Sequence, residues 1–141
     1  MINMKKVVVV ILLFLNACVA TTGSQFSEPI YAHEDEAVVY FYRPKEWVAG
    51  GLSPTVLDNG LIVSKLSNGG YFRYNVNPGK HQFFTDSMYI DKPLILEVKQ
   101  GENHFVRLDF KSGAFTGTWM LNRVFPDQGL EEISKCKKQI Q

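Results

Sequence analysis

Apolar and polar positions change period several times along this chain. Residues 7–15 are an unbroken apolar run, Val7-Val8-Val9-Val10-Ile11-Leu12-Leu13-Phe14-Leu15, preceded by Lys5 and Lys6. At nine residues it falls well short of the ~20 that a membrane-spanning helix needs, and it suits the apolar segment of an export signal. Residues 20–27 are small and polar and read as a flexible tether. Residues 28–36, with Pro29 and the acidic His33-Glu34-Asp35-Glu36, read as exposed chain leading into a strand.

From residue 37 the pattern is that of strands. Residues 37–42, Ala-Val-Val-Tyr-Phe-Tyr, form a continuous apolar run and predict a central strand covered on both faces. Arg43-Pro44 ends it, and residues 44–54 form a loop containing Trp47 and Gly50-Gly51. Residues 55–57 and 61–63 flank Asp58-Asn59-Gly60, where Asn-Gly supplies the two positive-φ positions of a type I′ hairpin. After a turn at Asn68-Gly69-Gly70, Phe72, Tyr74 and Val76 alternate with Arg73 and Asn75, so one face is apolar and the other polar. Asn77-Pro78-Gly79 predicts a type II turn, followed by a strand at 80–85. Leu94, Leu96 and Val98 alternate against Glu97 and Lys99. Past the turn at Gln100-Gly101-Glu102, Val106, Leu108 and Phe110 alternate against Arg107 and Asp109. Residues 118–121 make a last strand.

The period then changes to that of a helix over 127–138. Leu130 and Ile133 share a face, Asp127 is the candidate N-cap, and Glu131 and Glu132 precede Lys135, Lys137 and Lys138 in the order that complements the helix dipole. The fold class that follows is mainly β: an antiparallel β-sandwich or small barrel of about seven to eight strands with a short C-terminal α-helix. The expected organisation is a signal peptide at 1–17, a tether at 18–36 and one β domain with its helix at 37–141.

Composition sharpens this picture in two respects. Ten Phe, six Tyr and two Trp in 141 residues suit sheet cores. The net charge is +1, and loss of the leader with Lys5 and Lys6 takes it to −1, which excludes the basic footprint of a nucleic-acid binder.

Leu15-Asn16-Ala17-Cys18 completes the N-terminal signal. It resembles the lipobox of bacterial lipoproteins: Leu, a variable residue, a small residue, then Cys. The resemblance implies cleavage between Ala17 and Cys18, acylation of the Cys18 thiol, and attachment to a membrane through lipid. Val19 stands where an Asp would retain an enteric lipoprotein in the inner membrane. The expected address is therefore the cell envelope, at the outer membrane facing the periplasm. A Cys18–Cys136 disulfide in a secreted protein is the competing use of the two cysteines.

The middle of the chain carries a second resemblance. Tyr40-Phe41-Tyr42-Arg43-Pro44, Leu57-Asp58-Asn59-Gly60, Asn68-Gly69-Gly70-Tyr71 and Val76-Asn77-Pro78-Gly79-Lys80-His81 follow in that order. Together they resemble the bacterial lipoproteins carrying the domain of unknown function 2846, over roughly residues 37–110. The region also looks like the PEGA-type surface module, a small β-sandwich. The first likeness implies a membrane-anchored β domain without an established activity. The second implies a binding or spacer unit by analogy of fold alone.

Candidate chemistry is sparse. Residues 33–36 are consecutive, so their carboxylates cannot easily converge on a cation, and a solvated stretch is expected. His81 and His104 have no partner at metal-ligand spacing and read as surface or edge residues. No metal and no cofactor are expected. Cys136, between Lys135 and Lys137, is the one nucleophile to consider, since those charges would lower its pKa. Trp47 with Gly50 and Gly51 is the best candidate for a partner-binding loop, unless Trp47 folds back to cap the sandwich. Trp119 reads as core. The functional expectation is a non-enzymatic envelope lipoprotein whose sandwich binds or spaces another envelope protein or glycan. The alternatives are a purely structural role in envelope integrity and a tethered thiol enzyme or hydrolase using Cys136.

Overall fold

The computed structural model describes residues 23–27, 32–86 and 92–140. In order, its elements are β1 (Ala37–Tyr42), β2 (Thr55–Asp58), β3 (Leu61–Lys65), β4 (Gly70–Val76), β5 (Gly79–Thr85), β6 (Leu94–Val98), β7 (Asn103–Ser112), β8 (Gly117–Val124), α1 (Pro126–Ile133) and β9 (Lys137–Lys138). Two open sheets result, ordered β8-β7-β1-β4-β9 and β3-β2-β5-β6. The protein is therefore mainly β and a sandwich, with neither sheet closed into a barrel.

β1 explains the layering. Its odd positions Ala37, Val39 and Phe41 enter the core between the sheets, against Val56, Phe72, Phe83, Leu96 and Leu108. Its even positions Val38, Tyr40 and Tyr42 point to the other face, into a second core with Tyr71, Phe105, Ile133 and Cys136. The first sheet is thus a middle layer, with the second sheet on one side and α1 on the other. A central strand apolar on both sides is what the unbroken run at 37–42 demands. The alternation of Phe72, Tyr74 and Val76 falls on the inter-sheet face as its period requires.

Pairing differs from the expected antiparallel pattern in two places. β1 lies antiparallel to β4 but parallel to β7, and β9 lies parallel to β4. The cause is visible at the β6–β7 turn. The Gly101 amide donates to the Glu36 carbonyl at 2.7 Å, and the Val38 amide to the Glu102 carbonyl at 3.1 Å. The chain returns from the second sheet beside the start of β1, so β7 must run with it. The β2–β3 hairpin matches its expected turn, with Asn59 at φ 48° and Gly60 at φ 88°.

The C-terminal helix is shorter than expected and starts differently. Phe125 occupies the N-cap without a side-chain hydrogen bond, and Pro126 takes the first turn, where its missing N–H costs nothing. Asp127 therefore lies inside the helix rather than capping it. The helix stops at Ile133, and Lys137 and Lys138 pair with Gly70 and Tyr71 of β4. The three lysines thus lie beyond the helix, because an open sheet edge recruits the chain that would have extended it.

Part of the expected tether is also ordered against the domain. Residues 23–27 run along β9: the Lys138 amide donates to the Ser24 carbonyl at 2.8 Å, and Gln25 bridges Lys137. Phe26 meets Tyr40 and Tyr71 edge-on, with centroids 5.7 and 5.2 Å away. Phe26 and these hydrogen bonds together dock this polar stretch, the ring pairs adding ~0.5–1.5 kcal/mol beyond the area they bury.

Candidate interaction loop

Loop 44–54 leaves the end of β1 and enters β2, and its shape is set by a buried arginine. Arg43 is 1% exposed. Its Nη1 donates to the Leu52 carbonyl at 2.6 Å and its Nη2 to the Ala49 carbonyl at 2.8 Å. The guanidinium plane lies over Trp119, 4.5 Å from the ring centroid. Burial pulls the Arg43 pKa below its usual value, partly opposed by the charge of Glu46. A planar fork is the side chain suited to bridging two carbonyls while stacking on indole.

A second clamp fixes the other side of the loop. The Glu46 amide donates to Asn68 Oδ1 at 2.9 Å, and Asn68 Nδ2 donates to the Glu46 carbonyl at 2.8 Å. Within the loop, the Leu52 amide donates to the Ala49 carbonyl at 3.0 Å. The backbone is therefore pinned from both flanks. At its tip Trp47 is fully exposed, with Val48 and Leu52 more than half exposed.

Trp47 thus does not fold back over the sandwich. The two glycines of the loop differ from each other. Ala49, not either glycine, takes the positive φ of 56°. Gly50 is required by close approach, since a Cβ there would lie 2.9 Å from the Glu46 carbonyl oxygen and 3.0 Å from Asn68 Nδ2. Gly51 faces open space. Sequence reading missed Arg43, taken as the mere end of a strand, and Asn68, taken as a turn residue. A charged residue directly continuing an apolar run was the available signal for Arg43. Phe115, at the tip of the β7–β8 hairpin, was also missed and is fully exposed.

The other residues singled out from the sequence are accounted for within the fold. Cys136 is 1% exposed and contacts the Arg43 and Glu132 carbonyls through Sγ. Burial and the nearby Glu132 charge push its thiol up to about 11, the opposite of the lowering expected from its lysine neighbours. His104 is not a surface residue, and His81 is partly buried on an inner strand of its sheet. His104 is buried, and desolvation lowers its pKa, with Glu102 opposing and Arg123 and Lys99 adding to the effect. His81 has Nδ1 2.8 Å from Asp58 Oδ2 and Nε2 2.9 Å from the Asn77 carbonyl. Tyr74 donates to Asp58 Oδ2 at 3.0 Å, and burial together with Asp58 pushes its pKa up to about 12. This cluster ties β4 and β5 to β2. Residues 33–35 are exposed as expected. Cys18 and Ala17 lie outside the described residues.

A second polar cluster fastens α1 to the sheet. Tyr42 donates to Glu132 Oε2 at 2.6 Å, and Arg107 bridges Glu132 and Asp109, each at 2.9 Å. Burial alone would raise the Glu132 pKa. Hydrogen bonds from Tyr42, Gln128 and Arg107 outweigh it and hold the carboxylate below its usual range.

The fold and the site define a mainly β domain of two open sheets, with an aromatic loop held from both flanks at one end. The family can be stated directly: the chain belongs to the family described as protein of unknown function (DUF2846), whose model matches residues 33–119. The matched span opens before β1 and closes at Trp119, so it includes both the arginine clamp and the ring beneath it. An uncharacterized protein of Haemophilus influenzae is 24% identical over 116 residues, covering 82% of this chain and 67% of that protein. No solved structure matches.

Proposed function

We propose that this protein is an envelope lipoprotein, cleaved between Ala17 and Cys18 and anchored through lipid on Cys18, whose sandwich serves as a non-enzymatic binding or spacer module. The anchor rests on one ordered set of residues: Lys5-Lys6, the apolar run at 7–15, then Leu15-Asn16-Ala17-Cys18. The binding role is supported by the Trp47 loop, since a solvated indole on a backbone fixed at both flanks loses little conformational freedom on docking. An envelope protein or glycan is the partner class that fits this address. The buried, raised Cys136 thiol speaks against the thiol-enzyme alternative.

Two measurements test the proposal. Intact mass of protein extracted from membranes should show a chain beginning at Cys18 and carrying acyl mass. A species that keeps Met1, or an unmodified residue 18, refutes the anchor. Cross-linking in intact cells should capture a discrete envelope component whose recovery drops about tenfold or more with Trp47→Ala, as for an interface tryptophan worth ~2 kcal/mol. Equal recovery with the variant removes the loop from the binding role, and capture of nothing in either form favours a purely structural module.

A further inference from the structure

β4 is longer than the strand that covers its outer edge. β9 pairs only with Gly70 and Tyr71, whereas β4 runs on to Val76. The Arg43 amide donates to the Gly70 carbonyl, and β1 stays in register with β4 from there. Gly70, Phe72, Tyr74 and Val76 therefore turn their backbone groups toward β1, while Tyr71, Arg73 and Asn75 turn theirs outward. Tyr71 is satisfied, since its carbonyl accepts the Gln139 amide at 2.8 Å. Past that point, among the described residues, no strand lies beside Arg73 and Asn75. Two outward N–H groups and two outward carbonyls follow in a row, which is a template for a further strand.

Positive charge and open space adjoin this edge. A cavity of about 610 Å³ opens where Gly23, Phe72 and Gln139 meet, and one of about 360 Å³ lies beside Phe26 and Tyr71; Ser24, Arg73 and Lys138 line both. Arg73 Nε is buried and makes no hydrogen bond among the described residues. The carboxylate nearest Arg73 is Glu36, 4.0 Å from Nη2, and it is shared with Asn75, whose Nδ2 donates to it at 3.2 Å. Lys138 is exposed. One shared carboxylate thus stands against two cations.

We propose that the Arg73–Asn75 edge of β4 takes an extended peptide segment of a partner protein as an added strand, with an acidic side chain of that segment held between Arg73 and Lys138. Only another backbone matches the alternating donors and acceptors of the edge, and the cavities give room for its side chains. A carboxylate suits the planar guanidinium fork, which can offer it the idle Nε. The site goes beyond the proposed function and is independent of the Cys18 anchor. It is also distinct from the Trp47 loop: that loop follows the C-terminal end of β1, and β4 runs antiparallel to β1, so Arg73 and Asn75 lie toward the other end.

Short random peptides displayed on phage and selected on the full chain test this. The recovered sequences should combine Asp or Glu with β-branched residues. One of them, made synthetically, should slow exchange of the Arg73 and Asn75 amides about tenfold or more and leave the β3 amides unchanged. Asn75→Pro removes an outward amide and none that faces β1, so it should keep the fold and weaken the peptide about tenfold or more. Arg73→Gln decides the matter if proline disturbs the strand: it should weaken the acidic peptide about tenfold and leave its Glu→Gln version unchanged. Failure to enrich any peptide overturns the proposal, as does protection confined to β3. Binding that falls with Trp47→Ala and not with Asn75→Pro overturns it too and leaves the loop as the contact. An acidic peptide that binds equally well with its edge-facing amides N-methylated shows a carboxylate site only and overturns the added strand.

Discussion

Replacing Arg43 by Met tests whether the guanidinium holds loop 44–54 in place. Methionine keeps much of the volume and the apolar contact with Trp119 but removes both donors to Ala49 and Leu52. Two hydrogen bonds from a charged donor contribute ~1.5–3 kcal/mol each, and a desolvated cation–π contact about 2 kcal/mol. Against this stands the release of several kcal/mol of desolvation cost, because a buried cation without a carboxylate partner is expensive to hold. The net expectation is a destabilisation of about 2–3 kcal/mol, most of it local to the loop. Urea unfolding gives the global figure. Hydrogen exchange on the peptide spanning 46–53 gives the local one, where a loss of ~2 kcal/mol speeds exchange about 30-fold at the Gly50 and Leu52 amides. These two amides are the informative probes because their acceptors, Trp47 and Ala49, belong to the same loop. A variant as stable as wild type with unchanged exchange over 46–53 would show that the loop holds itself and that Arg43 is incidental to it.

Three further outcomes follow from the packing. Gly129→Ala should destabilise by about 1–3 kcal/mol despite the better helix propensity of alanine, because the new Cβ would lie 2.5 Å from Phe105 Cγ in the second core; equal or higher stability in urea would refute the close approach. Stability should fall as pH drops below about 6.5, since the folded pKa of His104 is depressed and the unfolded state then binds the proton better. A second fall below about 4.5 follows from the depressed Glu132, and pH-dependent unfolding of His104→Leu should lose the upper step and keep the lower. Cys136 should resist a disulfide reagent at pH 8 in the native chain and react only in denaturant; a fast native reaction at this cysteine would contradict its burial.

Strand positions were legible because a half-buried strand writes its own period: Phe72, Tyr74 and Val76 name their face without reference to any partner. The double burial of β1 was legible for the same reason. Which strand lies beside it was not, because the parallel pairing with β7 is decided by where the β6–β7 turn meets Glu36, far away in sequence. The same distance hid the clamp. Arg43 reads as the end of a strand until Trp119 and the Ala49 and Leu52 carbonyls surround it. Trp47 could be named from sequence, but its exposure depends on Asn68 and Arg43 holding the backbone beneath it. Helix α1 was overextended because nothing in the spacing of Lys135, Lys137 and Lys138 announces that the edge of β4 is vacant.

The alternation within β1 couples the stability of the two cores. Each residue of this six-residue strand belongs to one core, and its neighbours belong to the other. Peeling away either outer layer strips water-free cover from every second side chain of the same backbone segment, so neither half has a stable form of its own. The molecule should melt in a single step, with the β1 amides the last to exchange.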